Sequence, residues 1–235
     1  MSSYTAIVLA AGRGSRMKSD IQKQYMSLQG KPILYYSLKA FEDSFVDRIV
    51  LVTGQDELSY CKKEIVEKYG FAKVQAIVAG GKERYHSVYN GICAAGPCDY
   101  IMIHDGARPF VTREMLERAR LELNSNPAAV AAVPSKDTVK LVDADGYVTA
   151  TPDRNFVWNV QTPQCFSYPI IKEAYDKLSV SEDELQERGV RITDDAMVVE
   201  TFSGCRVKLF EGDYRNIKIT TPDDMEVAEK YLQTL

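Results

Sequence analysis

The alternation of apolar runs with helical patterns constrains the fold of this 235-residue chain more than any single motif. Short apolar runs predict strands, and amphipathic segments between them predict helices. Strands alternating with helices indicate an α/β fold, with a mostly parallel, Rossmann-like sheet covered by helices on both faces. The strands are predicted at 4–10, 46–53, 74–79, 100–104 and 128–133, and the helices at 32–41, 56–69, 82–95 and 112–123.

The first predicted strand leads straight into a loop with two glycines, Gly12 and Gly14. Glycine adopts backbone angles closed to other residues and leaves the backbone open to a ligand. Backbone amides that point into one concavity bind phosphate oxygens, and nearby cations strengthen that binding. The loop has neither the third glycine of the dinucleotide fingerprint nor the Gly-Lys-Ser/Thr ending of a P-loop. It therefore predicts a polyphosphate site of a third kind, with a turn in a nucleotide-free protein as the alternative. The cations of this stretch are Arg13, Arg16, Lys18 and Lys23.

Two later strands also end in polar or glycine-rich segments, and ligands of open α/β sheets bind beyond such strand ends. Gly80 and Gly81 precede a helix that contains Ser87, although this segment could equally be a simple helix entry. Asp105 ends an apolar strand, where a single carboxylate suits Mg²⁺ bound together with substrate phosphates. Alternatively, Asp105 caps the following turn or pairs with Arg108. We interpret the preceding His104 as structural.

The alternation of predicted strands and helices stops after Val133, where segments 138–142 and 147–150 predict a β-hairpin. Such a hairpin usually needs something to pack on, which indicates a partner subunit. Lys136, Thr138 and Lys140 stand where the hairpin begins and Arg154 where it ends, so the hairpin brings them close together, a set that suits a second phosphate-bearing substrate. The alternative is that these charges are simply solvated.

The last third of the chain returns to mixed structure. Strands are predicted near 156–160 and at 206–210 and 216–220, and helices at 169–178, after Thr193 and from Thr221-Pro222. Lys218 interrupts an otherwise apolar strand, where an unpaired charge is costly. Its partner is therefore expected to be a phosphate or Asp105. We expect one domain over 1–235, with a protruding β-arm at about 136–156.

The net charge, the apolar stretches and the cysteines limit the kinds of partner and compartment that suit this chain. The formal charge of -4 gives no general attraction to nucleic acid or anionic membranes. No apolar stretch suggests a membrane span or a signal peptide, so we expect a cytoplasmic protein. The five cysteines are expected to be reduced and buried, because they are odd in number and scattered through core elements of a cytosolic chain, and their spacing matches no zinc site.

Eight segments, in order, resemble the 2-C-methyl-D-erythritol 4-phosphate cytidylyltransferases of the non-mevalonate isoprenoid pathway. The resemblance extends from about residue 4 to the end of the chain. The opening loop alone is typical of the wider nucleotidyltransferase superfamily, whereas HDGARP, DTVK and TPQ in this order are far more specific. The segments are LAAGRGSRM, KQY, GGKER, HDGARPF, DTVK, DRNFVWNVQTPQ, TDDA and NIKITTPDD.

The resemblance implies transfer of a cytidylyl group from CTP to methylerythritol phosphate, a polyol phosphate, with Mg²⁺ and release of diphosphate. It implies that Arg16 and Lys23 stabilise the transition state, that Lys218 assists at the α-phosphate, and that Asp105 holds the metal. It further implies a homodimer in which the hairpin reaches the neighbouring subunit. The implied nucleotide contacts are Ala10, Ala11, Gly12, Gly14, Gly81, Ser87 and Asp105, and the implied contacts to the second substrate are Thr138, Arg154, Thr162 and Thr193.

Two residues depart from the family pattern. Gln22 stands where proline is usual, and Gly106 stands where alanine is commoner. A ribitol 5-phosphate cytidylyltransferase is the nearest alternative, although DTVK and DRNFVW favour the methylerythritol enzyme. A nucleotide-binding regulator without catalysis is a further alternative. The cations expected to act on the transition state argue against a regulator, which could lose them.

Overall fold

The structure is a computed structural model that describes residues 2–12 and 22–234, apart from the side chain of Gln186. The strands are β1 (Tyr4–Ala10), β2 (Ser27–Leu28), β3 (Lys31–Pro32), β4 (Arg48–Thr53), β5 (Val74–Ala79), β6 (Tyr100–Asp105), β7 (Ala128–Pro134), β8 (Leu141–Val142), β9 (Val148–Ala150), β10 (Trp158–Ser167) and β11 (Lys208–Glu211). The α-helices are α1 (Ile33–Glu42), α2 (Leu58–Tyr60), α3 (Arg84–Ala95), α4 (Arg113–Leu123), α5 (Tyr168–Glu187), α6 (Asp195–Ser203) and α7 (Pro222–Gln233). Short 3₁₀ helices span Lys23–Tyr25, Gln55–Glu57 and Arg154–Phe156, and a π-helical stretch, Cys61–Glu67, follows α2.

Seven strands form the central sheet in the order β11-β7-β10-β6-β1-β4-β5. All neighbours are parallel except β10, which runs antiparallel to both β6 and β7. The prediction of a mostly parallel sheet is therefore confirmed. The carboxyl ends of β1, β5 and β6 lie at the same edge, so the segments after Ala10, Ala79 and Asp105 meet there.

Helices cover both faces of the sheet, as the alternating side chains of β1 illustrate. Val8 packs in a core cluster with Leu38 of α1 and Leu116 of α4. Ile7 belongs to a second cluster, which contains Ile92 of α3 and further residues of α5 and α6. Since neighbouring residues of a strand point to opposite faces, the two clusters fill the two faces of one sheet.

The second half of the chain departs most from the predicted boundaries. β10 covers Trp158–Ser167 rather than 156–160, and α5 extends to Glu187 rather than ending at 178. The predicted strand at 216–220 is wrong. In this segment Ile219 donates one backbone hydrogen bond to the Ala107 carbonyl, and Ile217 and Ile219 pack beside α7 in a small third cluster. The apolar pattern therefore reflects packing against a helix rather than sheet pairing.

The hairpin forms where it is predicted, although its strands are shorter. β8 pairs antiparallel with β9, and residues 140–151 are all exposed. The assignment of 136–156 as a protruding arm, and of 1–235 as one domain, stays a prediction.

The cysteine prediction holds only in part. All five are free, and Cys61 and Cys165 are buried, but Cys93 is exposed on α3. Within residues 2–12 and 22–234 there is no group of three or more His, Cys, Asp and Glu side chains that could hold a metal ion. In the same part of the chain, no helix has both the length and the apolar character needed to cross a membrane.

Gly91 allows α3 to pack closely on the sheet, which yields a first prediction. A Cβ at this position would lie 2.6 Å from Cγ2 of Ile7 and 3.1 Å from Cγ2 of Val52. We expect Gly91→Ala to lower the free energy of unfolding by about 1–3 kcal/mol through overpacking. Urea denaturation measures this change. Cys93→Ala, on the exposed side of the same helix, is the matched control and should change stability by less than about 0.5 kcal/mol. Equal stability of the two variants would contradict the role given to Gly91.

Candidate functional site

A cavity of about 660 Å³ lies at the sheet edge where β1, β5 and β6 end. Four cationic side chains and two carboxylates line it, so the cavity carries a positive charge that suits a polyphosphate. Its lining consists of Leu9, Ala10, Ala11, Gly12, Lys23, Gln24, Gly81, Lys82, Glu83, Arg84, Ser87, Asp105, Ala107 and Lys218.

The two glycine-containing loops touch one another on one wall of this cavity. A Cβ on Gly80 would lie 2.5 Å from Cβ of Ala11 and 2.7 Å from Oγ of Ser87. The Gly81 amide donates to the Ser87 hydroxyl at 3.1 Å, which ties the start of α3 to the end of β5. Glycine is therefore favoured at position 80 because the side chains of Ala11 and Ser87 approach closely, rather than because of an unusual φ.

Asp105 is the centre of the charged part of the site. Its Oδ2 lies 2.8 Å from Nζ of Lys218 and 3.8 Å from Nε of Arg108. Its Oδ1 lies 3.4 Å from Nε of Arg84. Arg108 lies in the turn directly after Asp105, whereas tertiary structure brings Arg84 and Lys218 to the same carboxylate from distant segments. In the structure Asp105 pairs with both Arg108 and Lys218.

These cations determine the ionisation of Asp105. Burial alone would raise the pKa of the carboxyl, but the charges of Arg84, Lys218 and Arg108 outweigh burial and hold its pKa well below the usual range. Asp105 is therefore a carboxylate at every physiological pH. It meets the chemical requirement for a Mg²⁺ ligand, since this ion binds through one or two carboxylates and takes further oxygens from phosphates and water.

His104 lies behind Asp105 and is fully buried. Its Nδ1 is 3.0 Å from the Thr162 hydroxyl, and its Nε2 is 3.0 Å from the Arg108 carbonyl. The Asp105 amide also donates to the Thr162 hydroxyl at 3.1 Å. Both ring nitrogens thus serve to position the turn after β6, which agrees with the structural interpretation of His104.

Arg84 connects the cavity to a buried carboxylate on α6. Its Nη1 and Nη2 each lie 2.8 Å from one oxygen of Asp195, which is fully buried. The Tyr175 hydroxyl donates to the same carboxylate at 2.6 Å. The side chain of Gln164 accepts from the Asp195 and Ala196 amides at the start of α6. Arg84 is therefore held in place from both sides, by Asp195 and by Asp105.

Most residues predicted for the nucleotide and for catalysis meet at this cavity. Arg16 and Gly14 lie outside the described residues. The residues that line the cavity are Ala10, Ala11, Gly12, Lys23, Gly81, Ser87, Asp105 and Lys218. Their individual roles stay predictions.

The residues predicted to contact the second substrate are more dispersed. Thr162 is buried beneath the cavity. Thr193 lines a neighbouring cavity of about 760 Å³, which shares Lys82, Glu83 and Arg84 with the first. Thr138 and Arg154 are exposed near the hairpin base, where Arg154 donates to the Lys136 carbonyl at 3.4 Å, and neither lines these cavities.

Of the six cavity residues that were not among the predicted site residues, Gln24 and Arg84 bond to groups distant in sequence. Both stand in segments that the sequence singled out, KQY and GGKER. A polar residue beside a glycine-rich loop was the available signal, but only the fold shows which of these side chains is buried and paired.

The comparisons with known proteins match this geometry. The family model for IspD, 2-C-methyl-D-erythritol 4-phosphate cytidylyltransferase, matches residues 4–234. The chain belongs to this family. A 2-C-methyl-D-erythritol 4-phosphate cytidylyltransferase of Lachnoclostridium phytofermentans is 50% identical over 99% of this chain and 97% of its own length. One of Clostridium kluyveri is 47% identical over 100% and 98%.

Solved structures of the IspD family share the fold. The crystal structure of 4-diphosphocytidyl-2C-methyl-D-erythritol synthase from Anaerococcus prevotii superposes with a TM-score of 0.85, at 36% identity over 99% of this chain and 96% of that one. This similarity confirms the Rossmann-like α/β fold expected from the sequence.

The two departures from the family pattern have local explanations. A Cβ on Gly106 would lie 2.9 Å from Cδ1 of Leu34 and 2.9 Å from the Leu9 carbonyl oxygen, so glycine relieves crowding here. Gln22 has backbone angles of φ -61° and ψ 138°, close to the φ that proline would impose.

The buried imidazole of His104 yields a prediction on pH. Burial lowers the pKa of His104 to about 4, whereas an unfolded histidine has a pKa of about 6.5. Between these values the unfolded chain binds more protons than the native one, so the free energy of unfolding falls as the pH is lowered. We expect a loss of about 2 kcal/mol between pH 7 and pH 5 in urea titrations. His104→Gln should flatten this dependence, and an unchanged slope in the variant would contradict the assignment.

Proposed function

We propose that this chain transfers the cytidylyl group of CTP to 2-C-methyl-D-erythritol 4-phosphate and releases diphosphate. The observation that carries the proposal is the cavity at the ends of β1, β5 and β6, where Lys23, Asp105 and Lys218 meet in a chain that matches the family over residues 4–234. The protein is accordingly a nucleotidyltransferase.

The reaction needs no nucleophile from the protein. A phosphate oxygen of the acceptor attacks the α-phosphorus of CTP in line with the departing diphosphate. Negative charge accumulates on the oxygens around that phosphorus, and cations held in place stabilise it more than they stabilise the bound substrates. Lys23 and Lys218 line the cavity and are assigned this role together with Arg16. The protein contributes positioning and charge rather than covalent catalysis.

The nucleotide half of the site lies on the loops after β1 and β5. Backbone groups of the segment that begins with Ala10 and Ala11 suit the base and the phosphates, with Gly12 and Gly14 allowing close approach. Gly81 and Ser87 extend the same wall toward the base and ribose.

Asp105 is assigned as the protein ligand of a divalent cation, for which Mg²⁺ is the natural choice. The donor set fits, because one ionised carboxylate faces a cavity that would hold a triphosphate. When bound, the ion would neutralise triphosphate charge during cytidylyl transfer.

We further propose a homodimer in which the hairpin completes the acceptor site of the partner. Thr138 and Arg154 line neither of the two cavities described above, which fits a role in a neighbouring subunit. The hairpin and the residues after it also expose apolar side chains that an interface would cover. These are Leu141, Val142, Tyr147, Val148, Phe156 and Trp158. Thr162 and Thr193 are assigned to the acceptor from the chain that holds the nucleotide. Both substrates are water-soluble phosphates, in agreement with a cytoplasmic enzyme.

An assay of diphosphate release from CTP tests the proposed reaction. We expect release with methylerythritol phosphate and Mg²⁺, a rate at least about 100-fold lower with ribitol 5-phosphate, and none in excess EDTA. The expected preference follows from hydroxyls that a matched pocket binds and a mismatched one leaves unpaired.

Each alternative function has its own signature in this assay. A preference for ribitol 5-phosphate would replace the assigned acceptor. CTP binding without diphosphate release from either acceptor would indicate a regulator instead. Activity unaffected by EDTA would contradict the metal assignment to Asp105.

Complementation between variants tests the shared site. Arg154→Ala and Asp105→Ala should each be inactive alone, because each removes one half of every site. Random exchange of subunits makes about half of the dimers mixed, and each mixed dimer has one intact site, so about a quarter of wild-type activity should return. Diphosphate release after mixing measures this recovery.

The control pairs two variants of residues that touch in one chain, Asp105→Ala and Lys218→Ala. This mixture should recover nothing, because both residues belong to the same half of the site. Lack of recovery in the Arg154 and Asp105 mixture, with subunit exchange verified by mass spectrometry, would contradict the shared site.

A further inference from the structure

The position of Lys23 depends on the short segment that enters the site from residue 22. Lys23 begins the 3₁₀ helix Lys23–Tyr25 and lines the catalytic cavity. A three-residue helix has little stability of its own, so the contacts of its neighbours must fix its position.

Gln24 ties this helix to the end of β1. Its side chain is almost fully buried, and its Nε2 donates to the Ala10 carbonyl at 2.5 Å and to the Gly12 carbonyl at 3.2 Å. The same amide group also contacts Oε1 of Gln22. One buried side chain thus connects both limbs of the opening loop, before and after the segment 13–21.

Gln22 extends this connection to the segment that follows β4. Its Nε2 donates to Oε1 of Glu57, in the 3₁₀ helix after β4. The other oxygen of Glu57 lies 3.4 Å from the Thr53 hydroxyl, which in turn is 2.7 Å from the hydroxyl of Tyr25. Both polar atoms of the Gln22 carboxamide are therefore engaged, the oxygen by Gln24 and the nitrogen by Glu57.

The backbone of Gln22 has the geometry that proline would enforce covalently. Its φ is -61° and its ψ is 138°, and proline fixes φ near -65°. Among the described residues, its amide hydrogen has no acceptor, so the loss of that hydrogen would break no bond within this part of the chain. Glutamine has no intrinsic preference for this one geometry, so the side-chain bonds must select it.

We infer that Gln22 and Glu57 form a brace that positions Lys23 for catalysis. The brace replaces the rigidity of a proline ring by two side-chain hydrogen bonds, and it acts through Gln24 and the backbone of residue 22. Gln22 and Glu57 are positioning residues, since neither lines the catalytic cavity. The kinetic part of this inference rests on the proposed cytidylyltransferase function.

A double-mutant cycle with a proline background tests the brace. Gln22→Ala and Glu57→Ala should each lower kcat at least about tenfold while changing KM for CTP less than about threefold, because misplacing a transition-state cation costs rate. Gln22→Pro should keep kcat within about threefold of wild type, since the ring supplies the φ that the brace maintains. Adding Glu57→Ala to Gln22→Pro should then cause no further loss.

The matched control is Glu64→Ala, which removes a half-exposed carboxylate from the π-helical stretch just after Glu57 and breaks a surface pair with Lys68. Its kcat should equal that of wild type. Melting temperatures of all variants should lie within about 2 °C of wild type, because the brace orders one loop rather than the core. Two results would overturn the inference: wild-type kcat in both alanine variants, or a Gln22→Pro enzyme as slow as Gln22→Ala.

A measurement that does not depend on catalysis tests the brace independently of the proposed function. Trypsin cleavage after Lys23, followed by mass spectrometry of the intact protein, should be at least about fivefold faster in Gln22→Ala and Glu57→Ala than in wild type, Glu64→Ala and Gln22→Pro. If wild type releases no diphosphate from CTP with either acceptor, the proposed function fails while cleavage rates still judge the brace. Equal cleavage rates in all variants would overturn the brace whatever the activity.

Discussion

The ion-pair cluster around Asp105 is the interaction on which the arrangement of the site depends. One carboxylate is surrounded by Arg84, Arg108 and Lys218, which come from α3, the turn after β6 and the segment before α7. Burying a charge is costly unless the charge is paired, so the ion pairs with Asp105 hold the three segments together. The cluster keeps a net positive charge, because three cations face two carboxylates, Asp105 and Asp195. It is therefore both a structural connection and an anion-binding surface.

Close backbone packing brings the cluster to the cavity. Gly80 and Gly106 both stand where a Cβ would collide with a neighbouring segment, respectively Ala11 and the Leu9 carbonyl. The loops after β1, β5 and β6 can therefore lie against each other at one edge of the sheet. The antiparallel β10 adds Thr162 and Gln164 from below, which bind the Asp105 amide and the start of α6. The site is thus supported from its own strand ends and from a strand that enters in the opposite direction.

The parts of the fold that the sequence predicts well are those in which local pattern and tertiary role agree. β1 and β5 begin and end where their apolar runs predict, because each apolar run pairs in parallel in the central sheet over its whole length. Prediction fails where tertiary contacts override the pattern. In β10, Gln161, Thr162 and Gln164 interrupt the apolar run, yet all three are buried and hydrogen-bonded in the central sheet. Conversely, Ile217 and Ile219 resemble strand residues but pack beside α7.

Tertiary contacts also explain why two site residues were missed. Gln24 and Arg84 acquire their importance from carbonyls and carboxylates distant in sequence, which no local pattern encodes.

Lys218 differs from the other cations of the cluster in a way that matters for its assigned role. The Arg108 side chain is 13% exposed and also donates to the Asn216 carbonyl, and Arg84 is fixed by two bonds to Asp195. Lys218 is 37% exposed and is held by Asp105 at a single ammonium group on a flexible stem. A phosphate oxygen that enters the cavity competes with Asp105 for this ammonium group, and only a modest rearrangement of one side chain is needed. The two arginines therefore keep Asp105 ionised and in place, and the role proposed for Lys218 at the substrate phosphates rests on its greater exposure and its single contact. A reaction that depends on positioning and charge stabilisation needs both kinds of cation, some fixed in place and one able to contact the substrate.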